Sequence, residues 1–208
     1  ATIPQTADKN WNKYQWFNGT DTNVSFSAMA SATDATITAT IIHDAGEDKA
    51  TLFSDTVTGS NYIGSIAIGG NGAASSGAGT PVLKVDGITV TTSGGMYSAL
   101  SDGLPHTLVA TGVDISAWAN LTAMWYESSA VFRTSGTMFN ISVDNTTSGT
   151  ANFNVTGLGN DPWNDTIGSN DGTESGTFTR ELVTASDAND QIDALGTAIS
   201  EPRLNTQQ

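Results

Sequence analysis

Apolar and polar residues alternate with a period of two along much of the chain. In Ala35-Thr36-Ile37-Thr38-Ala39-Thr40-Ile41 every odd position is apolar and every even one is Thr. That arrangement puts one row of side chains on each face of a half-buried strand. Shorter runs of the same kind recur at 24–29, 50–53, 62–68, 82–85, 88–92, 107–110, 121–126, 138–143, 151–155 and 177–183. Turn-forming pairs separate them, among them Asn18-Gly19, Asp86-Gly87, Asp102-Gly103 and Ser148-Gly149. Val85-Asp86-Gly87-Ile88 lies between two β-branched runs and predicts a two-residue hairpin. Roughly eleven short strands at close spacing predict an all-β, antiparallel β-sandwich rather than an α/β fold.

Two stretches break the pattern. Residues 69–79 are nearly all Gly, Ala and Ser, with no side chain of core size, and predict a flexible connection. No Gly-Lys-Ser/Thr follows, so they are not a phosphate-binding loop. Residues 157–176 are rich in Gly, Asn and Asp, and an irregular stretch of that length is usually functional or an interaction arm. Near the C-terminus Ser186 can cap a short helix that begins at Asp187, with Ile192, Leu195 and Ile199 on one face. The expected organisation is an N-terminal arm at 1–11, a sandwich at 12–156, and a loop-rich extension with the short C-terminal helix at 157–208. That extension is expected to contact other subunits.

Composition narrows the function. Charged residues are 13% of the 208, about half the roughly 25% that is typical. Seven Lys and Arg stand against 21 Asp and Glu, for a net charge of −14. A phosphate-binding face needs clustered cations, so nucleic acid and anionic membranes are excluded as partners. The absence of cysteine rules out thiolate catalysis, disulfides and Cys-ligated zinc.

The segment Asp102-Gly103-Leu104-Pro105-His106-Thr107-Leu108-Val109 resembles the strand opening the second half of laminin G-like, concanavalin A-like lectin jelly rolls. Phe17-Asn18-Gly19-Thr20-Asp21 followed by Val24 and Phe26 is similar to that family's opening strands, and 138–144 to its closing one. The resemblance spans about 17–144 and lies in the order of the motifs. It implies a jelly roll that binds glycan or protein, of the kind found in phage surface and fibre proteins. It also implies that a calcium ion could sit at the sandwich rim.

The candidate site residues follow from that frame. Oxygen ligands are densest in 160–174, so Asp161, Asp165 and Asp171 are the candidate calcium ligands, with Asp21 and Asp144 in second place. Trp163 lies in a polar loop with little apolar sequence around it, and is the expected ligand or subunit anchor, with Asn164, Asp165 and Asn170 beside it. His43, after a run of Ile, is expected as an exposed or hydrogen-bonding strand end. His106 is expected to make structural hydrogen bonds near the sheet edge. No pair of acids shares a strand as a glycosidase needs, and no nucleophile motif accompanies either His. The expected function is therefore a non-enzymatic virion surface protein: a capsid decoration, spike or fibre component that contacts itself, other virion subunits and host glycans. A free extracellular carbohydrate-binding module and a capsid shell protein are the alternatives.

Overall fold

The alternation at 35–41 becomes a nine-residue strand at the middle of the larger of two antiparallel sheets. The structure, a computed structural model, describes residues 13–27, 32–44, 49–55, 61–67, 73–124, 134–145, 153–156, 163–176 and 178–182. In chain order the elements are β1 (Lys13–Asn18), β2 (Asn23–Ser27), β3 (Ala35–His43), β4 (Lys49–Ser54), β5 (Tyr62–Ala67), β6 (Gly79–Val85) and β7 (Ile88–Val90). Then follow α1 (Ser93–Leu100), β8 (Pro105–Val113), β9 (Asn120–Ala123), β10 (Ser135–Asn145), β11 (Phe153–Thr156), β12 (Thr173–Ser175) and β13 (Thr179–Leu182). The larger sheet runs β13-β1-β10-β3-β8-β6-β7, and β11 pairs with the second half of β10. The smaller sheet runs β12-β2-β9-β4-β5. The protein is an all-β antiparallel sandwich.

The core is the set of inward rows. Ala35, Ile37, Ala39 and Ile41 of β3 are fully buried. They meet Phe26 of β2, Leu52 and Phe53 of β4, Leu108 and Ala110 of β8, and Ile141 and Val143 of β10 in one cluster. Each large aliphatic side chain so buried contributes about 1.5–3 kcal/mol relative to exposure.

The sheets do not stop at residue 156. Strand β12 pairs with β2, and β13 pairs with β1 through Lys13↔Leu182 to Trp16↔Thr179. Each therefore forms one outer edge of a sheet. The boundary expected at 156 divides a single folded unit, because β12 and β13 find their hydrogen-bond partners in strands at the far end of the sequence. The C-terminal helix expected at 186–199 lies outside the described residues, as do the arm at 1–11 and Asp161.

One helix among the described residues is absent from the sequence expectation. Helix α1 has no counterpart in the period-two pattern; its N-cap is Thr92, whose hydroxyl accepts from Gly95 N at 3.1 Å. Met96 and Leu100, one turn apart, are its fully buried stripe. The helix packs mainly on β5 and touches β6, covering part of the flank where both sheets end. Residues 73–79, expected to be a flexible connection, are also built in. Ala73 and Ala78 are buried, Ala74 bridges Ile63 of β5, and Ser76–Ala78 form a 3-10 turn. Small side chains pack here because backbone passes close on both sides, with Gly64 N donating to Ala73 O at 2.7 Å.

His43 closes the inward row of β3. It is fully buried, and neither ring nitrogen has a hydrogen-bond partner among the described residues. This corrects the exposed strand end expected from sequence: position 43 shares the parity of 37, 39 and 41, so the strand turns it inward. Burial holds its pKa below the ordinary 6.5, against the opposing pull of Asp44. As pH falls below about 6.5 the unfolded chain takes up a proton that the buried ring resists, so stability falls with pH there. His43→Leu should raise stability by about 1 kcal/mol at neutral pH. The gain should grow toward about pH 5, as read from thermal melts at the two pH values.

Candidate functional site

Among the described residues a group of ionisable side chains, two aspartates around a histidine, lies at the end of the sandwich where β6 turns into β7. Asp86 and Gly87 have φ of 51° and 81°, the left-handed pair of a tight two-residue hairpin, which Asp and Gly accommodate better than other residues. This is the hairpin the sequence predicts. Asp86 N donates to Thr107 O at 2.9 Å and Thr107 N donates to Asp86 Oδ1 at 2.9 Å, tying the turn to β8. Asp86 Oδ2 lies 2.6 Å from His106 Nδ1, and Asp102 Oδ1 lies 2.9 Å from His106 Nε2. Asp102 Oδ1 also accepts from Leu104 N at 2.8 Å, which fixes the loop between α1 and β8.

A carboxylate only accepts, so both ring nitrogens can be satisfied at once only when both carry a proton. When protonated, His106 is an imidazolium between two aspartates and both contacts are satisfied. Partial burial works against that charge, but the hydrogen bonds and charges of Asp86 and Asp102 outweigh it and raise the His106 pKa above 6.5. Desolvation pushes Asp86 up, and bonds from His106 and Thr107 N more than reverse it. The His106 bond leads in holding Asp102 low. Strand β3 adds no charge opposite His106, where Ile41 is its register partner.

While it is protonated, the ring donates from both nitrogens and has no lone pair to accept a proton. It fastens three pieces of chain: the β6–β7 turn, the α1–β8 loop and the start of β8. Since its folded pKa is raised, His106 contributes fully below about 6.5 and loses that contribution as pH rises through the folded value. The aspartates, with lowered pKa values, contribute above about 3.8 and lose it as pH falls through their folded values. The fastening is thus strongest between about pH 4 and 6.5. Both carboxylates are about half exposed, so solvent screening limits its worth to about 0.5–1 kcal/mol. His106→Asn should lower stability by that amount near pH 6, with the difference from wild type shrinking above neutrality in parallel denaturant titrations.

The residues singled out at 160–174 take a different role from the expected one. Trp163 is fully buried, edge-on to Phe17 at 6.0 Å and to Phe26 at 6.2 Å between ring centroids. It is a core residue rather than an exposed anchor, because rings from β1 and β2 supply the apolar surroundings that its own stretch of sequence lacks. Gly172 N donates to Trp163 O at 2.8 Å and closes the base of the loop. Inside it Asp165 Oδ1 accepts from Ile167 N at 3.1 Å, Asp165 Oδ2 from Asn170 N at 3.0 Å, and Asp171 Oδ1 from Asp165 N at 2.7 Å. Asp165 and Asp171, two of the three carboxylates expected as calcium ligands, brace backbone amides, the usual work of Asp in turns. No group of three metal-binding side chains occurs among the described residues. Asn164 is exposed and Asn170 half-buried. The tip of the loop is Ile167, 63% exposed.

On the opposite flank an open groove of about 250 Å³ lies between the 73–74 segment and strands β6 and β7. Ala73, Ala74, Pro81, Val82 and Val90 supply apolar walls, and Thr80, Thr89 and Thr91 the polar ones. Sequence reasoning missed this groove and the aspartate partners of His106. The spacing of Asp102 and His106, four apart, was visible, but Asp86 is 20 residues away and only folding brings it in. Compared with protein-family models, curated proteins and solved structures, the chain matches none.

Proposed function

We propose that the chain is a non-enzymatic surface module of a virus particle, a phage capsid decoration, spike or fibre component, on a laminin G-like, concanavalin A-like sandwich. Its partners are further copies of itself and other virion subunits, and host glycans are the ligand class for its polar rim. The observation that carries this reading is the distribution of exposed apolar side chains. Among the described residues the large ones are Val82, Ile88, Leu104 and Ile167. The first three belong to the β6–β7 hairpin and the α1–β8 loop at one flank, and the fourth to the loop before β12 at the other. The outer face of the larger sheet carries Thr36, Thr38, Lys84, Thr107, Thr111, Ser142 and Asp144, with half-buried Val109 opposite Thr38 and exposed Val82 opposite Thr111 toward the β7 edge. Apolar flanks and a polar face suit side-by-side contacts between subunits. The histidine fastening suits the non-enzymatic part, since its hydrogen bonds tie three pieces of chain together.

Light scattering of the full-length chain at near-physiological salt tests the reading. A mass above that of one chain, rising with concentration, is expected. A single chain at every concentration would remove the assembly part. Glycan-array binding by the same protein tests the ligand class separately.

A further inference from the structure

The two apolar flanks differ in shape. One carries a knob: Ile167 at the tip of a loop whose base is held by the buried Trp163 and whose interior is braced by Asp165 and Asp171. The other carries the groove walled by Ala73, Ala74, Pro81, Val82 and Val90. At about 250 Å³ it is far larger than the roughly 30 Å³ of a water and below the roughly 300–1,000 Å³ of small-molecule sites. It has room for an aliphatic side chain. The groove has a threonine rim, and the tip's neighbours Thr166, Gly168 and Ser169 are exposed and small. One opposite-charge pair is on offer, since Asp171 is exposed on the knob loop and Lys84 is exposed on the groove strand β6, two positions from Val82.

Knob and groove cannot meet within one chain. The loop leads into β12, an outermost strand of the smaller sheet, beside β1 and β2. The groove lies where β7 and β5 end the two sheets on the other side. A contact between them is heterologous, and repeated it makes a ring or a filament.

We propose that Ile167 of one copy seats in the Val82–Val90 groove of the next, joining chains head to tail. The inference rests on the assembly reading above and names the surfaces that carry it. A braced loop inserts at low ordering cost, and a central apolar anchor within a polar rim is the usual anatomy of an interface.

The test uses full-length protein and light scattering across a concentration series. Ile167→Asp and Val82→Asp change exposed side chains, and far-ultraviolet circular dichroism checks that each keeps its β signal. Val82→Thr, which retains the β-branch and adds a hydroxyl, replaces Val82→Asp if that variant loses it. Each variant alone should weaken association at least tenfold. An equimolar mixture of a knob variant and a groove variant should form a two-chain species and go no further, because one intact knob and one intact groove remain. If wild type assembles while the variants match it, or the mixture forms no pair, the head-to-tail contact is wrong and the assembly reading stands. If wild type is a single chain throughout, both fall.

Discussion

Replacing Trp163 with Ala should destabilise the chain by about 3–5 kcal/mol, the cost of emptying a large aromatic site in a core. The ring is wholly buried and touches both sheets, meeting Phe17 of β1 and Phe26 of β2 edge-on. Phe178, just before β13, meets the same Phe17 edge-on at 5.1 Å between ring centroids, so the cavity would open where β13 joins the fold. The backbone at Trp163 is itself in the left-handed region, at φ 69°, a position that costs of order 1 kcal/mol or more. Burial of the ring offsets that cost, and an alanine would keep the strain without the burial. Domains of this kind are stable by only about 5–15 kcal/mol, so the variant should lose a large part of its stability. Ile167→Ala, four residues on at the exposed tip, should change it by no more than about 0.5 kcal/mol. Urea unfolding of the two variants beside wild type checks both values.

Gly136→Ala should be comparably severe, at about 3 kcal/mol or more. Gly136 pairs with Phe17 on one side and His43 on the other, so β10 is enclosed there by two strands. Its φ is 146°, and a Cβ would run into the carbonyl oxygen of Ile42, with the Cα of His43 at 3.2 Å. Both obstacles are backbone, and moving them would break the β3–β10 ladder. Gly87→Ala is the matched control. Its φ is 81°, but a Cβ there meets nothing within 4 Å, so backbone strain of about 1 kcal/mol is all it should cost. The comparison is read from denaturant midpoints, or from soluble yield if Gly136→Ala does not fold.

Local pattern revealed the elements whose signal is local. Strand β3 and the Asp86-Gly87 hairpin follow from alternation and turn chemistry, and the sandwich follows from the number of such runs. Strand β12 is Thr-Glu-Ser, with no apolar residue to mark a face, and exists because β2 offers it an edge. Helix α1 was hidden by Gly94 and Gly95, although Thr92 as a cap and the Met96–Leu100 pair were there to be read. Trp163 looks like an exposed anchor because its sequence neighbours are polar, while its aromatic partners Phe17 and Phe26 are more than a hundred positions away. For His43 the parity of β3 carried the answer, and chemical habit pointed the other way. At the candidate site, His106 as a hydrogen-bonding strand residue was legible. Its second carboxylate, and the groove between β6 and β7, depend on long-range closure that no local spacing encodes.

The claim on which the rest depends is that residues 163–182 complete both sheets, which makes Ile167 a fixed knob and moves the fold's boundary beyond 156. Hydrogen exchange of the full-length protein, resolved by segment, tests it most directly. The account predicts that amides of Gly172, Asp165, Asn170 and the β12 and β13 strands are protected well beyond free-peptide rates, alongside those of β1 and β2. Exchange across 163–182 at free-peptide rates, with β3 and β10 still protected, would contradict it.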